Sequence, residues 1–364
     1  MLQESKPVKI MVIGVGGGGG NAINDMTESG VTGVEFVAAN TDVQDLNKSL
    51  ANTRLQLGEK LTKGKGAGAD PDIGRQAAEE DKEKIAKLLE GVDMVFITAG
   101  MGGGTGTGAS PIIAEISREM GILTVAVVTK PFNFEGKKRA NNAEMGIGNL
   151  EKVVDSIVII PNDKLFELPE KKITLKNAFH EANKVLKIGI QGISDLMLKQ
   201  GLINLDFADV KSILKNSGIT MFGFGESDSK ENRAVEAATK ALESPLLEKQ
   251  ILGAEKILIN ITADESLGLD EAQLITNIIK DATGRDVEDG QWGVIYDDGM
   301  GGRLQVILVA TNFTEEAAIN AQKEKEKKTA GDGKGGSGPV SGKGGAANDL
   351  DKRPWPDNWG WGKN

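Results

Sequence analysis

Five short apolar runs constrain this chain most: "KIMVIGV" (9–15), "VEFVAAN" (34–40), "DMVFITAG" (93–100), "LTVAVVT" (123–129) and "SIVIIPN" (156–162). Each is rich in β-branched residues and nearly continuous in apolar character. Strands buried on both faces have that composition. Helical patterns lie between them. "DPDIGRQAAEEDKEKIAKLLEG" (70–91) opens with acidic residues and Pro71 and closes at Gly91, which predicts a helix. Strands alternating with helices imply parallel pairing through right-handed crossovers. The fold class expected over about 9–170 is therefore α/β, a doubly wound parallel-sheet domain.

A long amphipathic helix is expected over 174–200. It places Leu175, Ala178, Phe179, Ala182, Leu186, Ile190, Ile193, Leu196 and Met197 on roughly one face. After it, "KILINIT" (256–262), "WGVIYDD" (292–298) and "LQVILVAT" (304–311) read as strands. Residues 231–244 and 270–283 read as helices. Only "GMGGR" (299–303) separates the last two strands, so they are expected to pair as a hairpin. This half reads as a smaller α+β domain with a mixed sheet. Past Phe313 come a charged stretch (315–328), a Gly-rich linker (331–347) with the composition of flexible coil, and a terminus holding three of the four tryptophans. The expected divisions are 1–173, a central helix and connection over 174–204, 205–313, and a disordered tail over 314–364.

Composition removes several function classes. A net charge of −10 argues against a nucleic-acid footprint. With no cysteine there is no disulfide framework, thiolate metal site or cysteine nucleophile. The single histidine, His180, argues against a serine–histidine triad or a multi-histidine metal site. No leader pattern opens the sequence and no apolar run approaches the ~20 residues that span a bilayer. A cytoplasmic protein without direct membrane insertion is expected.

Three glycine-rich segments sit where strands hand over to helices: "GVGGGGGNA" (14–22), "GKGAGAD" (64–70) and "GMGGGTGTG" (100–108). Glycine there lets backbone approach a ligand closely, and the free N–H groups of a helix's first turn favour an anion. Thr105 and Thr107 add hydroxyls. The pattern predicts a phosphate site at the carboxyl edge of the sheet. It is not a P-loop, because no lysine follows the glycines. Gly14, Gly16 and Gly19 also match the dinucleotide fingerprint, which leaves an NAD-dependent oxidoreductase as the alternative. That fingerprint expects an acid at the end of the next strand, where Asn40 stands with Asp42 beyond it, and it does not call for a second glycine loop. The bland reading of all three segments is tight turns.

Taken together, "GVGGGGGNA", "GKGAGADPDIG", "ITAGMGGGTGTGASP", "TKPFNFEGKKR" and "GLINLDFADVK" resemble the tubulin/FtsZ superfamily, and within it the bacterial cell-division GTPases of the FtsZ family. The resemblance runs in order from about 8 to 313. It implies that GTP/GDP is held by Gly16, Gly17, Gly18, Gly19, Gly20 and Asn21 of the first loop, with Asn40 beside them. Ala67, Gly68 and Ala69 would approach the γ-phosphate. Gly102, Gly103, Gly104, Thr105 and Gly106 would wrap the α- and β-phosphates. Thr129, Glu135 and Arg139 match positions around the ribose and phosphates, Asn162 and Asn183 positions at the nucleoside, and Phe179 one that packs on the base. On their own residues, Asn183 reads as an exposed polar side chain, Phe179 as core, Arg139 as a solvated charge and His180 as surface.

"NLDFAD" (204–209) supplies Asn204, Asp206 and Asp209. Read alone, Asp206 is a helix N-cap with Asp209 three residues on. The resemblance implies more. These residues would enter the pocket of the next subunit in a head-to-tail homopolymer and handle the attacking water, with Mg2+ bridging the phosphates. Hydrolysis would then occur only within the filament, at the midcell division ring. It also implies that the terminal peptide docks division proteins and membrane tethers. "DKRPWPDNWGWGKN" departs from the family's usual acidic–proline–apolar segment followed by basic residues, and an unstructured end is the other reading.

Overall fold

The computed structural model describes residues 7–167, 174–199, 201–203, 205–244, 251–283 and 290–313, with 175 and 176 described by backbone only. The expected charged stretch, linker and terminal peptide lie outside the described residues.

All five apolar runs form strands: β1 (Ile10–Val15), β2 (Val34–Asn40), β4 (Met94–Gly100), β5 (Leu123–Lys130) and β6 (Ser156–Pro161). With β3 (Thr53–Gln56) and β7 (Gly218–Ile219) they make a seven-stranded sheet in the order β3-β2-β1-β4-β5-β6-β7. Every pairing is parallel. β1 and β4 are neighbours in space though far apart in sequence, because the chain order reverses between them. In open sheets of this kind the crevice at such a switch point is where ligands bind.

Both faces of the sheet are apolar because both are covered. Met11, Ile13, Val95 and Ile97 pack in one cluster with Ala109 and Ile113 of the helix Thr105–Glu119. Ile10, Val12, Phe96, Val125 and Val127 pack in another with the central helix Leu175–Leu198. Along that helix Ala178, Ala182, Leu186, Ile190, Ile193 and Leu196 are buried, as the spacing predicts. Phe179 is an exception at 47 % exposed. Its ring meets Phe132 edge-on at 5.5 Å and turns toward the ligand crevice instead of the core.

A second sheet, in the order β10-β9-β11-β8, joins β8 (Met221–Ser227), β9 (Ala254–Ala263), β10 (Gln291–Tyr296) and β11 (Leu304–Phe313). It is mixed: β10 runs parallel to β9, and β11 antiparallel to both β9 and β8. The expected β10–β11 hairpin does not form. β9 is buried along most of its length and takes a neighbour on each edge. The helix Leu269–Thr283 carries the chain back to place β10 on one side. The 297–303 connection then crosses the end of β9, where Asp297 N–H donates to Ala263 O at 2.9 Å, and delivers β11 to the other side.

The helix expected over 70–91 also breaks. Pro71–Glu80 and Lys82–Leu88 are separate, because the buried Asp81 between them accepts the Gly58 N–H at 2.8 Å and pairs with Lys84 at 2.7 Å.

Candidate nucleotide site

At the switch point the first glycine run is itself a helix N-terminus, and the second is a four-residue turn, 101–104, that leads into another. One helix, Gly16–Glu28, starts directly after Val15, and the other begins at Thr105. Neither has a side-chain cap, and neither has an acid in its first turn. The contrast with other helices is plain: Asp42, Asp70 and Asp206 each cap the helix that follows them. Two uncapped helices of 13 and 15 residues therefore aim their first N–H groups and positive dipole ends at one crevice, a ready anion site. Gly16 lies at φ +71°, and a Cβ there would stand 2.9 Å from Gly106 N, so the two turns meet backbone to backbone.

The third segment is locked over the second by another such approach. The helix Pro71–Glu80 crosses Thr105–Glu119 where Gly108 has no side chain; a Cβ there would lie 1.9 Å from Pro71 O. That crossing sets Ala67 and Asp70 against Gly104, where a Cβ would stand 2.8 Å from Ala67 Cβ and 3.0 Å from Asp70 N. Within the segment Ala69 takes a left-handed backbone, φ +59°, a conformation that costs a non-glycine residue on the order of 1 kcal/mol.

These segments open onto a cleft of about 640 Å3, of the size that takes a small-molecule ligand. Gly16, Gly17, Gly18, Asn21, Asn40, Ala67, Gly68, Ala69, Gly103, Gly104, Thr105, Gly106, Thr129, Glu135, Arg139, Asn162, Phe179 and Asn183 all line it. Three expected residues do not. Gly19 packs against Thr98 O of β4, Gly20 faces a small neighbouring cavity, and Gly102 turns its N–H to Thr107 Oγ1 at 2.8 Å. Thr107 does not line the cleft either, which corrects its reading as a ligand donor: its hydroxyl is buried beneath the loop, whose Gly102 N–H it accepts. Thr105 lines the cleft, with its hydroxyl 2.7 Å from that of Thr41.

Phe179 and Asn183 stand at the opposite wall. The buried Phe132 holds the aromatic side together, stacking on Phe134 at 5.0 Å and meeting Phe166 and Phe179 at 5.5 Å. Glu135 accepts the Phe132 N–H at 2.9 Å and pairs with Arg139. Asn162 is buried, and its Oδ1 has no hydrogen-bond partner. An orphaned buried acceptor costs roughly 1–3 kcal/mol, so this oxygen fits a donor supplied by a ligand. Asn183 gives its Nδ2–H to Asp25 Oδ2 at 2.9 Å.

Sequence reasoning missed Asp45, Lys65, Met101, Pro131 and Leu186, which also line the cleft. Lys65 sits inside the quoted "GKGAGAD" segment, so its charge within a glycine run was a usable signal. Asp45 and Leu186 carried none.

The acidic pair lies elsewhere. Asp206 and Asp209 do not line the cleft; they start the helix Phe207–Leu214 beyond the far end of the central helix. They form a reciprocal capping box: Asp209 N–H donates to Asp206 Oδ1 at 2.9 Å, and Asp206 N–H to Asp209 Oδ2 at 3.0 Å. The preceding strand of chain is pinned to β10, with Leu202 N–H donating to Val294 O at 2.9 Å and Val294 N–H to Ile203 O at 3.1 Å. Asn204 lies outside the described residues. No cluster of three His, Cys, Asp or Glu able to hold a metal occurs among the described residues, and no helix among them is long and apolar enough to cross a membrane.

Comparison with known proteins agrees with this geometry. Residues 9–170 match the GTPase domain of the Tubulin/FtsZ family, and residues 218–314 match the C-terminal domain of the FtsZ family. An FtsZ dimer from M. jannaschii is 46% identical, with 85% of this chain and 89% of that one covered, at a TM-score of 0.79. A mutant of that protein gives 45% identity over 84% and 91%, also at 0.79. CetZ1 from Haloferax volcanii, a GDP-bound monomer, shares the fold at 21% identity, over 88% of this chain and 100% of that one, with a TM-score of 0.71. These matches, with a second glycine-built phosphate wall that no dinucleotide site requires, set the oxidoreductase reading aside. The chain belongs to the Tubulin/FtsZ family, in its FtsZ branch, and is a GTP-binding, filament-forming GTPase of cell division.

Proposed function

We propose that this chain hydrolyses GTP only at the joint between two copies, with Asp206 and Asp209 of one subunit completing the cleft of the next. One observation carries the reading: the glycine-built cleft and the acidic pair lie at opposite ends of the central helix. Its 24 residues make a rod of about 36 Å at 1.5 Å per residue. Of the carboxylates at the cleft, Glu135 is engaged by Phe132 and Arg139, Asp42 caps the helix after it by accepting the Gln44 N–H at 2.8 Å, and Asp45 stands against Gly17 of the first glycine run. A carboxylate that orients or deprotonates the attacking water is therefore best sought on a neighbour. A contact between unlike ends need not close, and it propagates as a filament.

Within the cleft, backbone N–H groups of Gly17, Gly18 and Gly103–Gly106 would hold the phosphates, with Ala67, Gly68 and Ala69 nearest the γ-phosphate. Thr129, Glu135 and Arg139 would flank the ribose and phosphates. Phe179 would pack on the base, and Asn162 and Asn183 would bond the nucleoside. Mg2+ would enter with the nucleotide, since no cluster of three acids or histidines able to hold it occurs among the described residues, and it would supply charge neutralisation. Asn204 would assist the acids. We place the filament in the cytoplasm, in the ring at the division site of a bacterial cell, and assign residues 350–364 to docking division proteins and membrane tethers.

The test is a pair of variants. Asp209→Ala should bind GTP and release no phosphate. Thr105→Arg should fail to bind. Mixed, they should regain turnover through joints that pair an intact cleft with an intact acid loop. Normal turnover by Asp209→Ala alone would remove that residue from the reaction.

A further inference from the structure

We propose that Asp25 determines base specificity: by holding one amide N–H of Asn183 it keeps the carboxamide from flipping, with its oxygen turned to the 2-position of the base, selecting guanine against xanthine. This rests on the reading of Asn183 as a base contact. Asp25 lies on the helix Gly16–Glu28 and Asn183 on the central helix, 158 residues apart. Their side chains meet at 2.9 Å, Nδ2 to Oδ2, behind the cleft wall to which Asn183 belongs. The Asp25 side chain is only 21% exposed. Its Oδ2 also stands 3.3 Å from His180 Nδ1, one turn earlier on the central helix, so a ring nitrogen flanks the carboxylate beside the amide.

The amide orientation follows from chemistry. Turning Asn183 over would put its oxygen against a carboxylate oxygen at the same short separation, with two acceptors and no proton between them. A carboxylate accepting an amide N–H is the stronger, charge-assisted arrangement.

The consequence concerns which edge of a purine the pocket accepts. An unheld carboxamide presents an acceptor and a donor side by side. Guanine offers two neighbouring donors, N1–H and the 2-amino group. Xanthine offers N1–H beside a carbonyl oxygen, which an unheld carboxamide matches better than guanine does. With one Nδ2–H held by Asp25, the amide cannot turn its nitrogen to the 2-position as an unheld one can, and its oxygen stays there. It accepts from guanine there and opposes xanthine's oxygen. Discrimination thus comes from an unpaired acceptor placed against the wrong base, the device that gives polar pockets their selectivity.

The test measures GDP and XDP affinities by competition on the full chain. In Asp25→Ala the preference for GDP over XDP should fall roughly tenfold, the change expected for one such bond, mostly through tighter XDP binding, with the melting temperature little changed. Asn183→Asp in the otherwise native chain sets two carboxylates face to face and should weaken GDP binding. The same change in the Asp25→Ala background should restore the preference, because a carboxylate presents an acceptor whichever way it turns. An unchanged GDP:XDP ratio in a folded Asp25→Ala protein overturns the proposal, as does failure of the double variant to recover it. Loss of the underlying reading has a different signature: Asn183→Ala would then bind GDP as tightly as the native chain.

Discussion

The two loop-bearing ends of this molecule are built from opposite materials. At the carboxyl edge of the seven-stranded sheet the segments are held by backbone against backbone: Gly16 on Gly106, Gly108 on Pro71. At the end of the small sheet the loops are held by one side chain. Arg233, 10% exposed, reaches Glu271 with two nitrogens at 2.7 Å each, Ser266 Oγ at 3.0 Å, Ser266 O at 3.1 Å and Gly302 O at 2.9 Å. It thereby ties together the helix it begins, the turn after β9 and the connection into β11. The glycine-built end leaves backbone N–H groups free for a ligand. The arginine-built end satisfies its own polar groups. One is a receptacle and the other a clasp, and their failure modes should differ.

The largest expected effect is at the receptacle. Gly108→Val would drive a side chain into Pro71 O and Arg75 N, which are backbone atoms with no rotamer to escape to. Overpacking typically costs ~1–3 kcal/mol and occasionally more, a clash with rigid backbone belongs at the top of that range or beyond it, and thermal melting should show a deeply destabilised or unfolded protein. Gly103→Ala is the counter-case. Its Cβ meets nothing within 4 Å and it lines the cleft, so melting should hold while GTP affinity drops. A Gly108→Val protein as stable as the native one would end the comparison.

The clasp comes next. Arg233→Ala strands a partly buried Glu271 and should cost about 3 kcal/mol, whereas Arg233→Met with Glu271→Leu should recover most of it. The hydrogen bonds from Arg233 hold the Glu271 carboxyl below its ordinary range, and those from Ser266 and Gly302 do the same for Asp264. A depressed folded-state carboxyl stabilises above its unfolded pKa and loses that contribution as pH falls through the folded value. The native protein should therefore lose stability as pH falls below the ordinary carboxylate range. Arg233→Ala should show a shallower loss over the same window in a pH series of melting curves.

The smallest effect is expected at the acid loop. Asp206→Ala removes an N-cap worth about 1 kcal/mol, a shift of a few degrees in melting temperature. Asp206→Ser keeps a capping oxygen and should restore most of that stability without restoring a carboxylate. Phosphate release by the serine variant then separates support of the helix from chemistry.

Much of this was legible because the signals were local. The five central strands are apolar on both faces and bounded by turn residues, and the capping box is written in the three-residue spacing of Asp206 and Asp209. What escaped was non-local or short. β3, "TRLQ", is an edge strand with exposed and half-buried residues only, so it has neither period nor hydrophobicity. β7 has two residues. β8, "MFGFGES", is broken by glycines that let the helix Arg233–Leu242 approach: a Cβ on Gly225 would stand 2.0 Å from Ala237 O. The failed hairpin misread a short connection as a tight turn, because nothing local reveals that β9 will claim both edges. In the site, Asp25 carried no signal at all, since its role exists only once two helices cross.

The central helix has a further consequence. Its buried face shares one apolar cluster with Val125, Val127 and Val158 of the large sheet and with Leu258, Ile307 and Val309 of the small one. The two sheets are therefore expected to melt together, since loss of either would bare part of that cluster. A guest molecule gripped at Asn183 adds its binding energy to whatever must open before the helix lets go, by RT ln(1 + [L]/Kd). Slow amide exchange in β9 and β11, neither of which lines the cleft, would then register from afar whether the cleft is full.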